Sequence, residues 1–465
     1  MTSLLQDIQQ EIHLRSTSKG KTPKDLKYLL AVSGGMDSMA MLHAFMTLDL
    51  EIGVAHFNFK LRGEESDLDQ QLIEDFCQQH QIPVYITSEN TKAYAERHKT
   101  SIQVAARELR YQFFTEIANQ HGFDYICTAH HGHDQLETFF INLFRGSGLK
   151  GLTGIPQLRG QIFRPMLWIP RHKIVHYVNM NSVPFREDAT NQSDQYLRNQ
   201  IRHHIINPLT SSNPVYLKKS LNSIAILDDY QTYIDSQLLL FREQIEWEFP
   251  HSVQNITLIQ KAKETFNQPF LLKLYLLEKG LYPDSIKNFL DPEAPRKSGS
   301  LYPGQDVEMW YDRGQMWIIN KAFYHSWSVD DRIEIPLNKK IELPGGDHIQ
   351  ILPYSNAGPS GSTWNVPLSI EKVKLPLYAR HRQPGDFLWM GSPPYFRKSL
   401  KKLLIEKRIP LPFKDRCYVI VDDSNHVISV PGITSSSRFS ENASGYPSGY
   451  ILEYESILLD IFSTI

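Results

Sequence analysis

A short loop of serine, glycine and aspartate, residues 33–38 (SGGMDS), has the residue types in this sequence that best suit ligand chemistry. It follows an apolar run at residues 27–32, typical of a buried strand, and precedes an apolar-faced segment at 39–45, typical of a helix. The two glycines, Gly34 and Gly35, allow a tight turn that brings the backbone close to a ligand. Because the free amides at a helix start carry partial positive charge, the loop predicts a phosphate or pyrophosphate site. An ordinary tight connection is the alternative.

The side chains of this loop support the same interpretation. Ser33 and Ser38 supply hydroxyl donors, and Asp37 has the carboxylate that a Mg²⁺ ion bridging phosphate oxygens requires. The loop lacks the lysine of a GxxxxGK[ST] phosphate loop, which argues against a Walker-type nucleotide hydrolase. The loop therefore favours a nucleotide site of another kind.

A second polar stretch follows another apolar run, where His130, His131 and His133 precede Asp134 and Glu137. The two acidic residues are three positions apart, so on a helix their carboxylates lie on one face. Such a pair suits a cationic ligand such as an ammonium group, although simple stabilisation by the helix dipole is the alternative. The histidines also raise the question of zinc, but no cysteine is near and HExxH is absent, so zinc is disfavoured.

Length and composition are those of an ordinary globular protein: 465 residues, of which 41% are hydrophobic and 22% charged, predict two or three domains. The formal net charge of −2 does not indicate nucleic-acid binding, which would need a local basic patch. No stretch approaches the roughly 18 apolar residues of a membrane span, and the first 21 residues are too polar for a signal peptide. Cys77, Cys127 and Cys417 are far apart and form no CxxC, so we expect a cytoplasmic protein with no membrane contact.

Short apolar runs alternate with helix-length segments from residue 27 to about residue 164. Four runs predict strands: 27–32, 51–57, 82–87 and 124–129. This alternation predicts an α/β fold, a doubly wound parallel sheet with ligands at the carboxyl ends of its strands. Since the 33–38 loop follows the first strand and His130 follows the fourth, we expect the active site between these two strands.

The rest of the chain changes character twice. Residues 217–246 and 266–277 have a helical period, and strands are expected on both sides of a turn at 312–314. Farther on, residues 418–430 predict a hairpin and residues 356–363 a flexible loop. We therefore predict a catalytic domain over 1–212, a mainly helical middle domain over 213–328 and a C-terminal α+β domain over 329–465.

A basic patch lies in the C-terminal part. Residues 371–416 contain twelve Lys/Arg against four Asp/Glu, interleaved with aromatic residues, and residues 396–407 predict an amphipathic helix with a basic face. Its candidate phosphate-binding residues are Arg397, Lys398, Lys401 and Lys402. Arg198 and Arg202, four positions apart, are a second candidate pair. For both sets a solvated helix face is the alternative.

Several of these stretches resemble known families. The 33–38 loop resembles the SGGxDS pyrophosphate loop of the PP-loop ATP pyrophosphatases. The stretch AHHGHDQLETFFINLFRGSGLKGLTGI, residues 129–155, resembles the signature of the tRNA(Ile)-lysidine synthetases. Further agreement with that family covers roughly the first 210 residues, at 54–58, 61–62, 106–111, 164–167, 187–191 and 198–202, and continues more weakly at 384–386, 397–404 and 431–432.

The resemblance implies a reaction. The family uses ATP to adenylate the C2 carbonyl of the wobble cytidine in the CAU anticodon of a minor tRNA(Ile), and the ε-amine of free lysine then displaces AMP. The product, lysidine, changes codon recognition from AUG to AUA. The implied ATP, pyrophosphate and magnesium site is Ser33, Gly34, Gly35, Met36, Asp37 and Ser38, with Asp37 as the metal ligand and His56 at the adenosine. The implied lysine and adenylation pocket is Arg110, His130, Asp134 and Glu137.

One departure and two alternatives accompany this resemblance. His133 stands where family members often carry an acidic or amide residue, which leaves a second magnesium ligand there in doubt; we expect a tolerated surface variant. A PP-loop tRNA thiolase would also adenylate a base, but such enzymes need catalytic cysteines or an iron–sulfur site. A non-catalytic tRNA-binding module is the alternative from another class. Family members are often dimers, which adds a homodimer as an open alternative.

Overall fold

The computed structural model describes residues 3–60, 63–187, 197–247, 256–259, 266–294, 296–326, 332–353, 364–439, 450–456, 458–459 and 461. Three stretches of the sequence analysis lie outside these ranges: residues 61–62, residues 188–191 of the 187–191 motif, and the loop at 356–363. The chain forms two compact units, Met1–Ile234 and Asp235–Ile465. The three-domain division stays a prediction.

The first unit is organised around a six-stranded sheet. Its strands are β1 (Lys27–Ala31), β2 (Glu51–Asn58), β3 (Val84–Ser88), β4 (Tyr125–Thr128), β5 (Leu158–Arg159) and β6 (Ile162–Phe163). Their order across the sheet is β3-β2-β1-β4-β6-β5, and every neighbouring pair is parallel except β5 with β6. The four predicted strands are confirmed, and the antiparallel β5–β6 edge was not predicted.

Helices cover both faces of this sheet. The helices described in this part of the chain are α1 (Leu4–Thr17), α2 (Met36–Thr47), α3 (Glu64–Gln79), α4 (Thr91–His98), α5 (Ile102–His121), α6 (Gly132–Phe144), α7 (Leu149–Leu152), α8 (Arg171–Asn181), α9 (Leu197–Ile201), α10 (Asn207–Ser212) and α11 (Pro214–Ile245), which continues past the boundary at Ile234, with a π-helical turn at Arg202–Ile206. On β1, Tyr28 and Leu30 pack into one core with α1, α2, α3 and α8, whereas Leu29 packs with Phe114 of α5 on the other side. Alternate residues of one strand thus face two layers of helices, which confirms the doubly wound α/β fold.

The strand order reverses at β1. The chain passes from β1 outward to β2 and β3, while β4 lies on the other side of β1. The turn after β1 and the turn after β4 are therefore neighbours at the same edge of the sheet. This is the place where open α/β sheets form ligand crevices.

The described residues of the second unit form four separate sheets. Its strands are β7 (Glu246–Trp247), β8 (Ile256–Ile259), β9 (Ser300–Pro303), β10 (Val307–Asp312), β11 (Gln315–Asn320), β12 (Ile333–Ile335), β13 (Ile341–Leu343), β14 (Asp347–Pro353), β15 (Trp364–Leu368), β16 (Leu377–His381), β17 (Phe387–Met390), β18 (Phe396–Ser399), β19 (Tyr418–Val421), β20 (Val427–Val430), β21 (Thr434–Ser435) and β22 (Tyr450–Glu455). The sheets are β7-β8-β11-β10-β9, β12-β16-β19-β20-β21, β13-β14-β22-β15 and β17-β18. Its α-helices are Pro269–Glu278, Pro283–Leu290, Lys321–Ser326, Leu400–Glu406 and Leu411–Lys414.

The predicted elements of this region are confirmed in most places. The β10–β11 and β19–β20 hairpins and the helix Pro269–Glu278 occur where the sequence indicated, and α11 matches the long helical period before them. The predicted mainly helical middle region also holds the sheet of β7 to β11. No helix that the structure describes combines the length and apolar character that a membrane crossing requires.

The predicted helix at 396–407 is wrong over its first four residues. Phe396–Ser399 is strand β18, paired with β17, and the helix begins at Leu400. The guanidinium of Arg397 lies 4.6 Å from the ring centre of Phe387 and 4.8 Å from that of Trp389, so cross-ribbon stacking stabilises an extended backbone here. Only the buried Leu400, Leu403 and Leu404 keep the helical spacing.

Candidate active site

A pocket of about 640 Å³ opens at the carboxyl ends of β1, β2 and β4 in the first unit. Its wall includes eight residues from the predicted site: Ser33, Gly35, Met36, Asp37, Ser38, Arg110, His130 and Asp134. Gly34, His56 and Glu137 do not line it. The structure thus brings the loop after β1 and the stretch after β4 to one cavity, although about 95 residues separate them in the sequence.

The loop after β1 is held by its own serines. The Ser38 hydroxyl accepts a hydrogen bond from the Ser33 amide at 3.1 Å and donates to the Gly35 carbonyl at 2.9 Å. Gly34 has φ +84°, a left-handed conformation that favours glycine. Helix α2 begins at Met36 with Gly35 as its N-cap, so no side chain caps its first amides. The helix start is therefore open to an anion.

Asp37 lies in the first turn of α2 and lines the pocket. Its Oδ1 atom is buried and has no hydrogen-bond partner among the residues that the structure describes. A buried carboxylate oxygen without a partner suits a hard cation, and Mg²⁺ typically combines one or two carboxylates with substrate phosphates. Within the described ranges no group of three or more His, Cys, Asp or Glu could hold a metal ion.

His131, which the sequence did not single out, does not line the pocket but lies beside two residues that do, Asp37 and Asp134. Its ring is buried, with Nε2 3.6 Å from Asp37 Oδ2 and Nδ1 3.5 Å from Asp134 Oδ2. Burial by itself lowers the pKa of His131, but the carboxylates of Asp134 and Asp37 outweigh it and raise the pKa above its ordinary value. The adjacent pair of histidines was the only sequence signal, and spacing alone could not say which of the two faces Asp37.

His130 and Asp134 have different environments in the same wall. His130 Nδ1 lies 2.9 Å from the Thr128 hydroxyl, and burial lowers the pKa of His130 to about 4, so its ring is neutral near pH 7. Asp134 caps the start of α6 by accepting the His131 amide at 2.9 Å. Burial raises the pKa of Asp134, but His131 and Arg198 outweigh it and hold the pKa well below its usual range. The wall thus combines a neutral imidazole with a charged carboxylate.

Glu137 is fully buried one turn farther along α6. Its Oε2 accepts Arg198 Nε at 2.5 Å and its Oε1 accepts Arg202 Nε at 2.5 Å. Arg198 also donates to Asp134 Oδ1 at 2.5 Å. The two arginines proposed as tRNA contacts therefore lie on the two carboxylates proposed as lysine ligands, and these roles stay predictions.

The other predicted residues take distinct places. The guanidinium of Arg110 lies over the ring of Phe59, 4.8 Å from its centre, at the pocket wall. His56 is buried, with Nδ1 2.9 Å from the Val32 carbonyl oxygen and Nε2 without a hydrogen-bond partner among the described residues. His133 is half-buried, not at the surface as expected, and burial lowers its pKa to about 4. His133 packs against its neighbour: its amide donates to His131 Nδ1 at 3.2 Å, and the two rings lie edge to face with their centres 5.6 Å apart.

The basic residues of the second unit divide into two kinds. Arg397 stacks within its own ribbon, and Lys398 Nζ lies 2.5 Å from Glu406 Oε2. Lys401 and Lys402 are exposed on the helix Leu400–Glu406. Arg397 is exposed as well, so Arg397, Lys401 and Lys402 are the exposed cations among the predicted phosphate contacts of this unit.

All three cysteines are buried and free, and none lines the pocket. Burial raises the pKa of the Cys77 thiol to about 11 and of the Cys417 thiol to about 12, and raises that of Cys127 well above its ordinary value. Protonated thiols away from the pocket argue against a thiolase that uses catalytic cysteines.

The fold and this site define an ATP-utilising enzyme of the PP-loop class, and residues 5–209 match the model of the PP-loop domain. The tRNA(Ile)-lysidine synthase of Oceanobacillus iheyensis is 30% identical over 437 residues, covering 88% of this chain and 91% of the relative. The enzyme of the same name from Bacillus subtilis is 28% identical, covering 89% and 91%, and that from Geobacillus kaustophilus is 29% identical, covering 92% and 95%. The chain belongs to the tRNA(Ile)-lysidine synthase family.

Proposed function

We propose that this protein ligates free lysine to C2 of the wobble cytidine in the CAU anticodon of minor tRNA(Ile), at the expense of ATP, which leaves as AMP and pyrophosphate. The main support for this proposal is the shared pocket: Asp37 of the loop after β1 lines the same cavity as His130 and Asp134, which follow β4. The phosphate-binding loop would hold ATP there, and the wall after β4 would face the cytidine and the lysine. Catalysis then rests on positioning and on charge stabilisation at the leaving pyrophosphate.

Asp37 would hold Mg²⁺, because its Oδ1 lacks a partner among the described residues and the residue lines the pocket at the open start of α2. When bound, the ion supplies neutralisation of negative charge on the phosphate oxygens. The open amides at the start of α2 would bind the pyrophosphate. His130 is neutral near pH 7, so it can exchange a hydrogen bond with the reacting groups without adding charge.

Lysine would bind beside Asp134, because Asp134 lines the pocket and Glu137 does not line it. The resemblance implies Glu137 as a lysine ligand, but Glu137 does not line the pocket and its two carboxylate oxygens accept N–H groups of Arg198 and Arg202. We therefore propose instead that Glu137 supports these two arginines beside Asp134. A free lysine brings an ammonium and a carboxylate. Asp134 would take the first, and Arg110 on the same wall would pair with the second.

Transfer of labelled lysine to tRNA tests this function. With ATP and Mg²⁺, we expect stable label on a minor tRNA(Ile) transcript with a CAU anticodon and none on elongator tRNA(Met), the matched control with the same anticodon. AMP formation without label would leave the adenylation and contradict lysine as the nucleophile. A cytoplasmic location and a homodimer stay predictions.

A further inference from the structure

The loop after β1 is held from outside by two residues far from it in the sequence. The backbone N–H of Arg186 donates to the Gly34 carbonyl at 3.0 Å. Arg186 Nε donates to Asp69 Oδ1 at 2.9 Å, and Arg186 Nη2 contacts Glu65. Asp69 lies on α3 and is only 7% exposed, while Arg186 follows α8. The ion pair therefore connects two separate elements beside the loop.

Gly34 packs directly on Asp69. A Cβ built at Gly34 would lie 3.3 Å from the Cβ of Asp69 and 3.4 Å from its carbonyl oxygen. Gly34 also has φ +84°, so both the space and the backbone conformation favour glycine. The position of Asp69 thus limits where the turn of the loop can lie.

The contact from Arg186 also sets the direction of a peptide group. In a trans peptide the carbonyl and the following N–H point in opposite directions. Since the Gly34 carbonyl points to the Arg186 amide, the Gly35 N–H points to the opposite side. Gly35 lines the pocket and Gly34 does not. An anion in the pocket would therefore meet an amide donor at this place instead of a carbonyl oxygen, which would repel it.

We propose that Asp69 and Arg186 are positioning residues for ATP, because their ion pair holds the peptide between Gly34 and Gly35 with its amide toward the triphosphate. This inference rests on the use of ATP in the proposed function. Neither residue needs to contact the nucleotide for this role. Both also line the pocket, so a direct contact between Arg186 and a phosphate is the competing explanation, and the experiment must separate the two.

The test compares Asp69→Ala, Arg186→Ala and the double variant in an AMP-forming assay with tRNA(Ile), lysine and Mg²⁺. Asp69→Ala keeps the Cβ under Gly34 and removes only the carboxylate. We expect each single variant to raise KM for ATP roughly ten- to a hundredfold, since small misplacements of a binding loop have effects of that order. KM for lysine and tRNA binding should stay within about twofold. Because the residues act as one unit, KM for ATP of the double variant should be no higher than that of the more impaired single variant.

Lys173→Ala is the matched control. Lys173 Nζ lies 2.6 Å from Asp7 Oδ2, both side chains are 20% exposed, and the pair joins α1 to α8 without lining the pocket. We expect this variant to lose some thermal stability and to keep its KM for ATP. If Asp69→Ala fails to fold, as its melting curve would show, Asp69→Asn keeps the shape and carries the same comparison.

Calorimetric titration of each variant with ATP and Mg²⁺ separates the possible failures. An active wild type whose two single variants keep their KM for ATP would overturn the positioning role. A second result would also overturn it: Arg186→Ala loses much more affinity for ATP than Asp69→Ala, and the two losses add in the double variant. That result indicates direct contact between Arg186 and a phosphate. A wild type that forms no AMP contradicts the proposed function instead, and the calorimetric affinities then still decide whether the ion pair shapes the loop.

Discussion

The Nε2 atom of His131 lies 3.6 Å from the Oδ2 atom of Asp37, and this contact connects the two halves of the pocket. The Nδ1 atom of the same ring lies 3.5 Å from Asp134 Oδ2. One buried imidazole therefore lies between the carboxylate of the 33–38 loop and the carboxylate at the start of α6. The phosphate side and the lysine side of the proposed reaction are coupled through it, so a change at one carboxylate alters the electrostatic environment of the other.

Replacing Asp37 tests the proposed magnesium site. Asp37→Ala should lower the rate of AMP formation by at least about a hundredfold, since charge stabilisation at the leaving group is a large part of such catalysis. Binding of tRNA, measured by filter retention, should remain nearly intact because the basic helix lies in the other unit. Asp7→Ala on α1 is a control that should keep full activity. A variant at Asp37 that still forms AMP at the wild-type rate would exclude the magnesium role.

The support role of Glu137 predicts a loss of stability. Glu137→Ala removes the carboxylate shared by Arg198 and Arg202, whose side chains are 42% and 28% exposed, and should lower the unfolding free energy by about 1.5–3 kcal/mol, as for a lost hydrogen bond to a charged group. Urea unfolding measures the loss. Asp134→Ala, in contrast, should raise KM for lysine more than Glu137→Ala does, and should lower the unfolding free energy less. Equal effects of the two variants on both quantities would contradict the separate roles.

The pH dependence of stability in the second unit follows from Asp347. This side chain is 1% exposed and bonds to the Tyr454 hydroxyl, and burial raises the pKa of Asp347 to about 6. The folded state therefore binds a proton between about pH 4 and pH 6 that the unfolded state has lost, so this group lowers stability as pH rises through that window. At pH 8, Asp347→Asn should have an unfolding free energy up to about 2–3 kcal/mol above that of wild type, measured by urea unfolding. At pH 4 the two proteins should differ little. A gain that does not depend on pH would contradict the assigned pKa.

The exposed lysines of the second unit predict salt-dependent tRNA binding. Replacing Lys401 and Lys402 by Glu should weaken binding and flatten the slope of affinity against salt, because each phosphate contact contributes about one to that slope. Lys398→Ala should have a smaller effect, since Lys398 already pairs with Glu406. Lys339→Glu, at another exposed position of the same unit, is the control. Unchanged binding after the double replacement would show that this helix is only a solvated face.

The sequence by itself determined most of the architecture of the first unit. Four short apolar runs became β1 to β4, because a strand buried on both faces needs a continuous apolar segment. The loop at 33–38 and the pair Asp134 and Glu137 were identified as candidate ligand-binding residues from their residue types and spacing. The meeting of this loop with His130 and Asp134 in one pocket also followed, since the carboxyl ends of neighbouring parallel strands lie at the same edge, whereas Glu137 lies outside the pocket.

Only the tertiary structure decided which side chains are partners. Arg198 and Arg202 cover the carboxylates of α6 from more than 60 residues away, and Asp69 reaches Arg186 across 117 residues. His131, and not its neighbour His130, faces Asp37, and Arg397 stacks on its own ribbon where the local pattern indicated a helix. Local spacing specifies the element on which a side chain lies. Its partner depends on how separate elements pack, and that packing is a property of the whole folded unit.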